Sequence, residues 1–235
     1  MYKELAKYYD LIYHWKDYET EANIVKELID KYNRSNGKDL LDVGCGTGMH
    51  LKYFKDDFSC MGIDINSEMV EVAKGKVNNV VFKQGDMIDF NLEKLFDVIL
   101  CLFSSIGYVK TYSNLEKTFL NFANHLKKGG VLIVEPWFTK STFLAGKPGM
   151  TTYDGDDVKI TRLNTTKVEG DLSIMEMHYL IAEWDGDIKH FVDIHELGLF
   201  ETDKTLELMA KASLISEFLK DGLMKDRGLI IGVKM

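Results

Sequence analysis

A chain of 235 residues, 46% of them hydrophobic and 28% charged, has the composition of an ordinary globular protein and is long enough for one α/β domain carrying an insertion. Its formal net charge of −8, with no block of Lys and Arg, argues against a nucleic-acid substrate, because phosphate backbones demand a positive surface. Cys45, Cys60 and Cys101 lie in or beside apolar runs rather than at metal-ligand spacing, the start of the chain lacks a signal-peptide pattern, and no apolar run approaches the ~18 residues of a membrane span, so a cytoplasmic protein with reduced thiols is expected.

The first eighteen residues hold Tyr2, Tyr8, Tyr9, Tyr13, Trp15 and Tyr18, with apolar positions at helical spacing. Most of these rings suit a packed face; Tyr2 and Tyr9 are the polar-tipped rings best placed to close as a lid over a ligand. A helix over 17–32 follows. Asp39-Leu40-Leu41-Asp42-Val43-Gly44-Cys45-Gly46-Thr47-Gly48 then reads as a buried strand entering a glycine turn, continued by a helix over 49–55. The spacing departs from the dinucleotide fingerprint, which would put glycine at Met49, and no Lys-Ser or Lys-Thr follows, so neither a pyrophosphate turn nor a P-loop is expected. Asp64 ends the next strand, 59–64, about 20 residues on, where an acidic side chain can grip ribose hydroxyls. The pair points to a nucleoside ligand without a pyrophosphate.

Ser67 is read as the N-cap of a helix reaching 77. A third strand over 80–82 runs into Gln84-Gly85-Asp86-Met87, where a carboxylate beside an apolar side chain suits an adenine ring. The strand over 96–103 emerges beside the glycine turn, so its exit, Ser104-Ser105-Ile106-Gly107-Tyr108, should lie where group transfer occurs. Ser113-Asn114-Leu115-Glu116 has the form of a capping box opening a helix to 126, closed by Lys127-Lys128-Gly129-Gly130 before a fifth strand over 131–135.

From 150 to 200 the pattern changes to period-two alternation broken by Glu169-Gly170-Asp171 and Asp185-Gly186-Asp187, which predicts an antiparallel insertion of three or four strands. Met175, Met177, Tyr179 and Ile181 share one face, which needs cover from the main domain or a second subunit; Glu176 and His178 share the other. A helix over 202–214 and a hairpin of 217–219 with 229–233 close the chain. The expected division is a main domain of 1–149 with 201–235 and an insertion of 150–200 that caps the substrate, dimerises or does both. His178, His190, His195, Glu176 and Glu196 raise the question of a metal, but no pair has a recognised ligand spacing and none is expected. Arg162, in the insertion, suits an anionic substrate or a surface role.

The turn Asp42-Val43-Gly44-Cys45-Gly46-Thr47-Gly48 with the acidic Asp64 resembles the first motif and following acidic position of the class I S-adenosylmethionine (SAM) methyltransferases. Together with Tyr8-Tyr9-Asp10-Leu11-Ile12-Tyr13, Gly85-Asp86-Met87, Phe103-Ser104-Ser105-Ile106-Gly107, Glu135-Pro136-Trp137 and Arg227-Gly228-Leu229, it resembles more narrowly the nucleotide-sugar N,N-dimethyltransferases. The resemblance implies a doubly wound, mostly parallel seven-stranded Rossmann-like sheet with the β insertion after the fifth strand. It implies SAM contacts at Tyr9, Asp42, Gly44, Cys45, Gly46, Gly48, Asp64, Ile65, Asp86, Met87 and Leu102, and substrate contacts at Tyr2, Trp137 and Arg227, the last suited to a phosphate. The family commonly has histidine where this chain has Tyr108, which either relays a proton or packs beside the cofactor. The expected activity is methyl transfer to a small-molecule amine, such as a nucleotide-linked amino sugar, possible also as a homodimer through the insertion. O-methylation and a non-catalytic SAM-binding module are the alternatives.

Overall fold

The computed structural model describes residues 3–235. A 3-10 helix, Lys3–Tyr8, and the short α1 (Tyr9–Ile12) lead into α2 (Tyr18–Tyr32), which Asp17 caps by accepting the Thr20 N–H at 3.0 Å. The doubly wound region then runs β1 (Asp39–Val43), α3 (Leu51–Phe54), β2 (Ser59–Asp64), α4 (Ser67–Lys76), β3 (Val81–Gln84), β4 (Phe96–Cys101), a 3-10 turn over Ser105–Val109, α5 (Tyr112–His125) and β5 (Leu126–Val134). The insertion is β6 (Gly149–Asp154), β7 (Val158–Glu169), β8 (Leu172–Glu183) and β9 (Lys189–Gly198), and the chain closes with α6 (Thr202–Lys211), β10 (Leu214–Leu219) and β11 (Leu229–Lys234).

Two starts differ from the sequence reading for the same reason, competition among neighbouring cap residues. Asn66, not Ser67, caps α4 by accepting from the N–H groups of Glu68 and Met69, and Thr111, not Ser113, caps α5 by accepting the Asn114 N–H at 3.2 Å. The helix α5 also stops at His125. Lys127 to Gly130 therefore belong to β5, whose pairing with β4 shifts register between Phe96 and Val98.

The seven strands lie in the order β3-β2-β1-β4-β5-β11-β10, with β11 antiparallel to β5 and β10. Successive residues of β1 serve opposite layers. Leu40 packs with Ala22, Val25, Leu51, Phe54, Val70 and Ala73, whereas Leu41 packs with Phe119, Phe122 and Ala123 of α5. Burial on both faces is what makes these parallel strands read as continuous apolar runs. The strand order reverses between β1 and β4, which opens a crevice at their carboxyl ends where the glycine turn and the Ser104 exit meet.

The insertion forms a separate four-stranded antiparallel meander, β6-β7-β8-β9. Met175, Met177, Tyr179 and Ile181 do share one face, and its cover is the chain's own amino-terminal segment: Leu5, Tyr8 and Ile12 pack on them in a third core cluster with Ile160 and Leu197. The same inner face continues past this cluster to the crevice. No helix among the described residues is long and apolar enough to cross a membrane.

Candidate active site

The glycine turn is held in shape by backbone bonds from Gly44 and Cys45 N–H to the Ile63 carbonyl, 2.8 and 3.0 Å, which tie the end of β1 to the end of β2. Gly44 takes φ +75° and a Cβ there would meet Ser105 Cβ at 2.8 Å, so only glycine lets the turn pass the β4 exit. Gly46, at φ +54°, has nothing within 4 Å of its would-be Cβ and leaves an open cradle. Asp64 locks this arrangement, accepting the Gly46 N–H at 2.8 Å and the Asn66 N–H at 2.9 Å. Beneath it Asp42 is 2% exposed, and its Oδ2 is buried without a hydrogen-bond partner. Burial, reinforced by Asp64, pushes the Asp42 carboxyl up to about 7.

These groups open into a cavity of about 620 Å³ running from the glycine turn to the inner face of the insertion. Tyr9, Gly44, Gly46, Asp64, Ile65, Asp86, Met87, Tyr108, Trp137, Arg162 and Arg227 all line it. Asp42, Cys45, Gly48 and Leu102 sit behind its wall: Cys45 and Leu102 are buried in the core layer, and Gly48 faces Phe82 and Ala73. Tyr2 lies outside the described residues. At the adenine-suited end Ile65 is 64% exposed, and Asp86 Oδ1 accepts the Ile88 N–H at 2.9 Å, which fixes the carboxylate while leaving acceptor capacity free.

The opposite end is built on a strained turn. Phe103 and Ser104 follow each other at φ +51° and +62°, a left-handed pair of non-glycine residues that costs of order 1–3 kcal/mol each and persists only where the surroundings impose it. Buried Glu135 imposes it by accepting the Phe103 N–H at 2.7 Å. Ser104 Oγ donates to the Pro136 carbonyl at 2.8 Å and accepts from Arg227 at 2.9 Å. Behind Phe103, Lys16 Nζ lies 4.2 Å from the ring centroid and pairs with buried Glu21, which His50 also binds at 2.8 Å.

Two arginines face the cavity. Arg227 stacks 4.6 Å over Trp137 and stands 4.0 Å from Glu135, and Arg162 bonds the Tyr13 hydroxyl at 3.1 Å. The Nε atoms of both are buried and unpartnered. Trp137 spends its indole N–H on Ser173 at 2.8 Å, fixing its ring between domain and insertion. A neighbouring cavity of about 670 Å³, lined by Phe138, Phe218, Lys220 and Lys225 among others, shares Trp137, Met224 and Arg227 with the first.

Sequence reasoning missed one constellation. Tyr108 bonds His195 Nδ1 by its hydroxyl, and His195 Nε2 bonds Asp193 Oδ2 at 2.9 Å. The alternation of β9 puts Asp193 and His195 on the cavity side, opposite Met177 and Met175, and that period-two pattern was the available signal. His178, considered with His195 for a metal, instead stacks on His190 and bonds Glu176 on the outer face.

The open cradle at Gly46, and Asp64 and Asp86 flanked by Ile65 and Met87, fit the amino-acid, ribose and adenine parts of SAM. Fold and cavity thus define a class I SAM-dependent methyltransferase. A family described as a methyltransferase domain matches residues 40–130. The chain is 35% identical, over 97% of each sequence, to the dTDP-3-amino-3,4,6-trideoxy-alpha-D-glucopyranose N,N-dimethyltransferase of Streptomyces venezuelae. Its fold is similar to the crystal structure of Streptomyces venezuelae DesVI, with a TM-score of 0.92, 34% identity and 98% of each chain covered. It is also similar to SAM-bound CalS10, an amino pentose methyltransferase from Micromonospora echinaspora, at TM-score 0.83, 28% identity, and 94% and 92% coverage. The chain belongs to the family of nucleotide-sugar N,N-dimethyltransferases, and its cofactor is SAM.

Proposed function

We propose that this enzyme dimethylates the amino group of a dTDP-linked deoxyaminohexose. The observation that carries the reading is the pair Arg162 and Arg227, two half-buried arginines with unpartnered Nε atoms lining the cavity that also holds the glycine turn. Planar forks of donors suit a diphosphate far better than a neutral metabolite. Trp137 and the adjoining cavity give the rest of the nucleotide room, and Tyr2 belongs with this group by resemblance. The relatives' names and the nearly full-length match support the same acceptor.

On this reading Tyr9, Asp42, Gly44, Cys45, Gly46, Gly48, Asp64, Ile65, Asp86, Met87 and Leu102 form the SAM half, some by direct contact and the buried ones by shaping the turn. SAM supplies an electrophilic methyl group on a sulfonium. Tyr108 and the apolar cavity wall hold the acceptor amine near it and disfavour its charged form, and alignment and desolvation account for most of the rate. The main domain, 1–149 with 201–235, binds the cofactor, while 150–200 caps the acceptor. A homodimer through the insertion is supported by Leu163, Leu180 and Ile194, exposed on its outer face. Buried free cysteines support a cytoplasmic setting, and the net charge of −8 supports an acceptor other than nucleic acid.

Calorimetry with the product-loaded enzyme tests the acceptor. Thymidine diphosphate is expected to bind at least tenfold tighter than thymidine, and Arg227→Lys to erase most of that difference. Equal affinity for the two would remove the diphosphate from the proposal.

A further inference from the structure

With a neutral imidazole at His195, the bond chain on the inner face of the insertion has one consistent proton arrangement. Asp193 is buried and, when ionised, can only accept. Burial pushes its carboxyl up, but hydrogen bonding, with His195 its largest source, helps hold it below the usual carboxylate range. His195 Nε2 must then donate to it, which leaves Nδ1 of the neutral ring as an acceptor. The Tyr108 hydroxyl fills that role as donor. Its one proton is committed to His195, so the oxygen presents only lone pairs to the cavity that Tyr108 lines. A group in the cavity meets an acceptor there, backed by an imidazole and a carboxylate.

We propose that Asp193, His195 and Tyr108 form a proton relay that takes the proton from the acceptor's ammonium group before each methyl transfer. The inference rests on the amine reading given above. In the relay, the ammonium N–H bond breaks as an O–H bond forms on Tyr108. The original Tyr108 O–H bond breaks as His195 Nδ1–H forms. One proton moves from nitrogen to imidazole, the amine recovers its lone pair, and the imidazolium charge is offset by Asp193. No oxidant or metal is needed. Tyr108 touches the amine and is the catalytic residue; His195 and Asp193 act through it. Although Tyr108 is 47% exposed as a residue, desolvation at its hydroxyl raises the phenol above its usual range, so it serves as a relay rather than as a standing phenolate.

The other ionisable groups facing this chain, among the described residues, do not replace it. Tyr9 and Tyr13 come from the amino-terminal segment, Tyr179 from β8, Asp64 from the end of β2 and Arg162 from β7. Arg162 is a permanent cation, and Asp64 is engaged by two backbone amides. Lys110 and Glu196 on the rim pair with each other at 2.6 Å.

Two measurements test it. In enzyme labelled with 15N-histidine and loaded with S-adenosylhomocysteine, neutral His195 is expected as the Nε2–H tautomer, with its Nδ1 resonance shifted by Tyr108→Phe. An Nδ1–H tautomer would overturn the relay. Second, kcat/KM for a dTDP-3-amino-3,6-dideoxyhexose is followed from about pH 6 to about pH 10 for wild type, Tyr108→Phe and His195→Gln. Each variant is expected to lose about 10- to 100-fold near neutrality and to recover above the pKa of the free amine, with S-adenosylhomocysteine affinity within about twofold of wild type. Tyr108→Phe keeps the ring, so it decides the question even if His195→Gln fails to fold. A loss of the same size at every pH, or an unchanged profile, would overturn the proposal. A wild-type enzyme that turns over no dTDP-aminohexose would sink the substrate reading instead, and the tautomer would still decide the relay.

Discussion

Asp42 carries a buried carboxyl whose protonation is linked to folding. Its folded pKa, about 7, lies above the ordinary value near 4, so the folded state gains most at low pH and loses that contribution as pH rises toward 7. Chemical denaturation of the cofactor-free enzyme should show stability falling across this window by up to about 1.4 kcal/mol per pH unit, with a shallower slope in Asp42→Asn. If Asp42 must ionise when SAM binds, as the family resemblance implies, the sign for binding is the opposite. SAM affinity should rise over the same window, with a proton released, as calorimetry in buffers of different ionisation enthalpy would detect. At the far end, Arg162→Lys should raise KM for the nucleotide sugar at least about tenfold and leave SAM affinity within about twofold, because a lysine lacks the planar fork. Asp64 and Asp86 were legible from their places at strand ends, whereas Asp42, Trp137 and Arg227 came through the family resemblance; all but Asp42 line the cavity. Asp193, His195 and Glu135 were not legible, since their roles depend on which distant strand or turn lies opposite, and local spacing does not carry that information.

Among elements, the glycine turn and the β4 exit form one unit. A methyl group at Gly44 meets Ser105 Cβ at 2.8 Å and leaves a non-glycine residue at φ +75°, costing roughly 1–2 kcal/mol in backbone strain before any clash. Gly44→Ala should therefore lower the melting temperature by several degrees and SAM affinity more than about tenfold, read by thermal scanning and calorimetry. The insertion answers to a different core. Ile181 is 0% exposed among Leu5, Tyr8 and Ile12, so Ile181→Ala should cost about 2–5 kcal/mol in a denaturation curve. The strands were readable because apolar runs and turn residues mark them directly. The α4 and α5 caps slipped by one and two residues, since Asn66-Ser67 and Thr111 with Ser113 each offer rival oxygens and only the backbone geometry selects one. Nor did the pattern say which cover the apolar face of β8 would receive; the amino-terminal segment fills that place by tertiary packing alone.

At the scale of the molecule, one sheet positions the cofactor turn, and a second sheet brings Arg162, Asp193 and His195 over it. That arrangement makes the acceptor half of the cavity depend on the insertion, which the alternation over 150–200 announced without revealing its orientation. If Leu163, Leu180 and Ile194 on the outer face bind a second copy, light scattering should give twice the chain mass, and charged substitutions at Leu163 and Ile194 should give the single-chain mass. The central claim, N,N-dimethylation of a nucleotide-linked amino sugar, is tested most directly by mass spectrometry of a dTDP-3-amino-3,6-dideoxyhexose incubated with enzyme and SAM. Successive transfer of two methyl groups, both to nitrogen, is expected. No transfer, or a methyl group on oxygen, would contradict it.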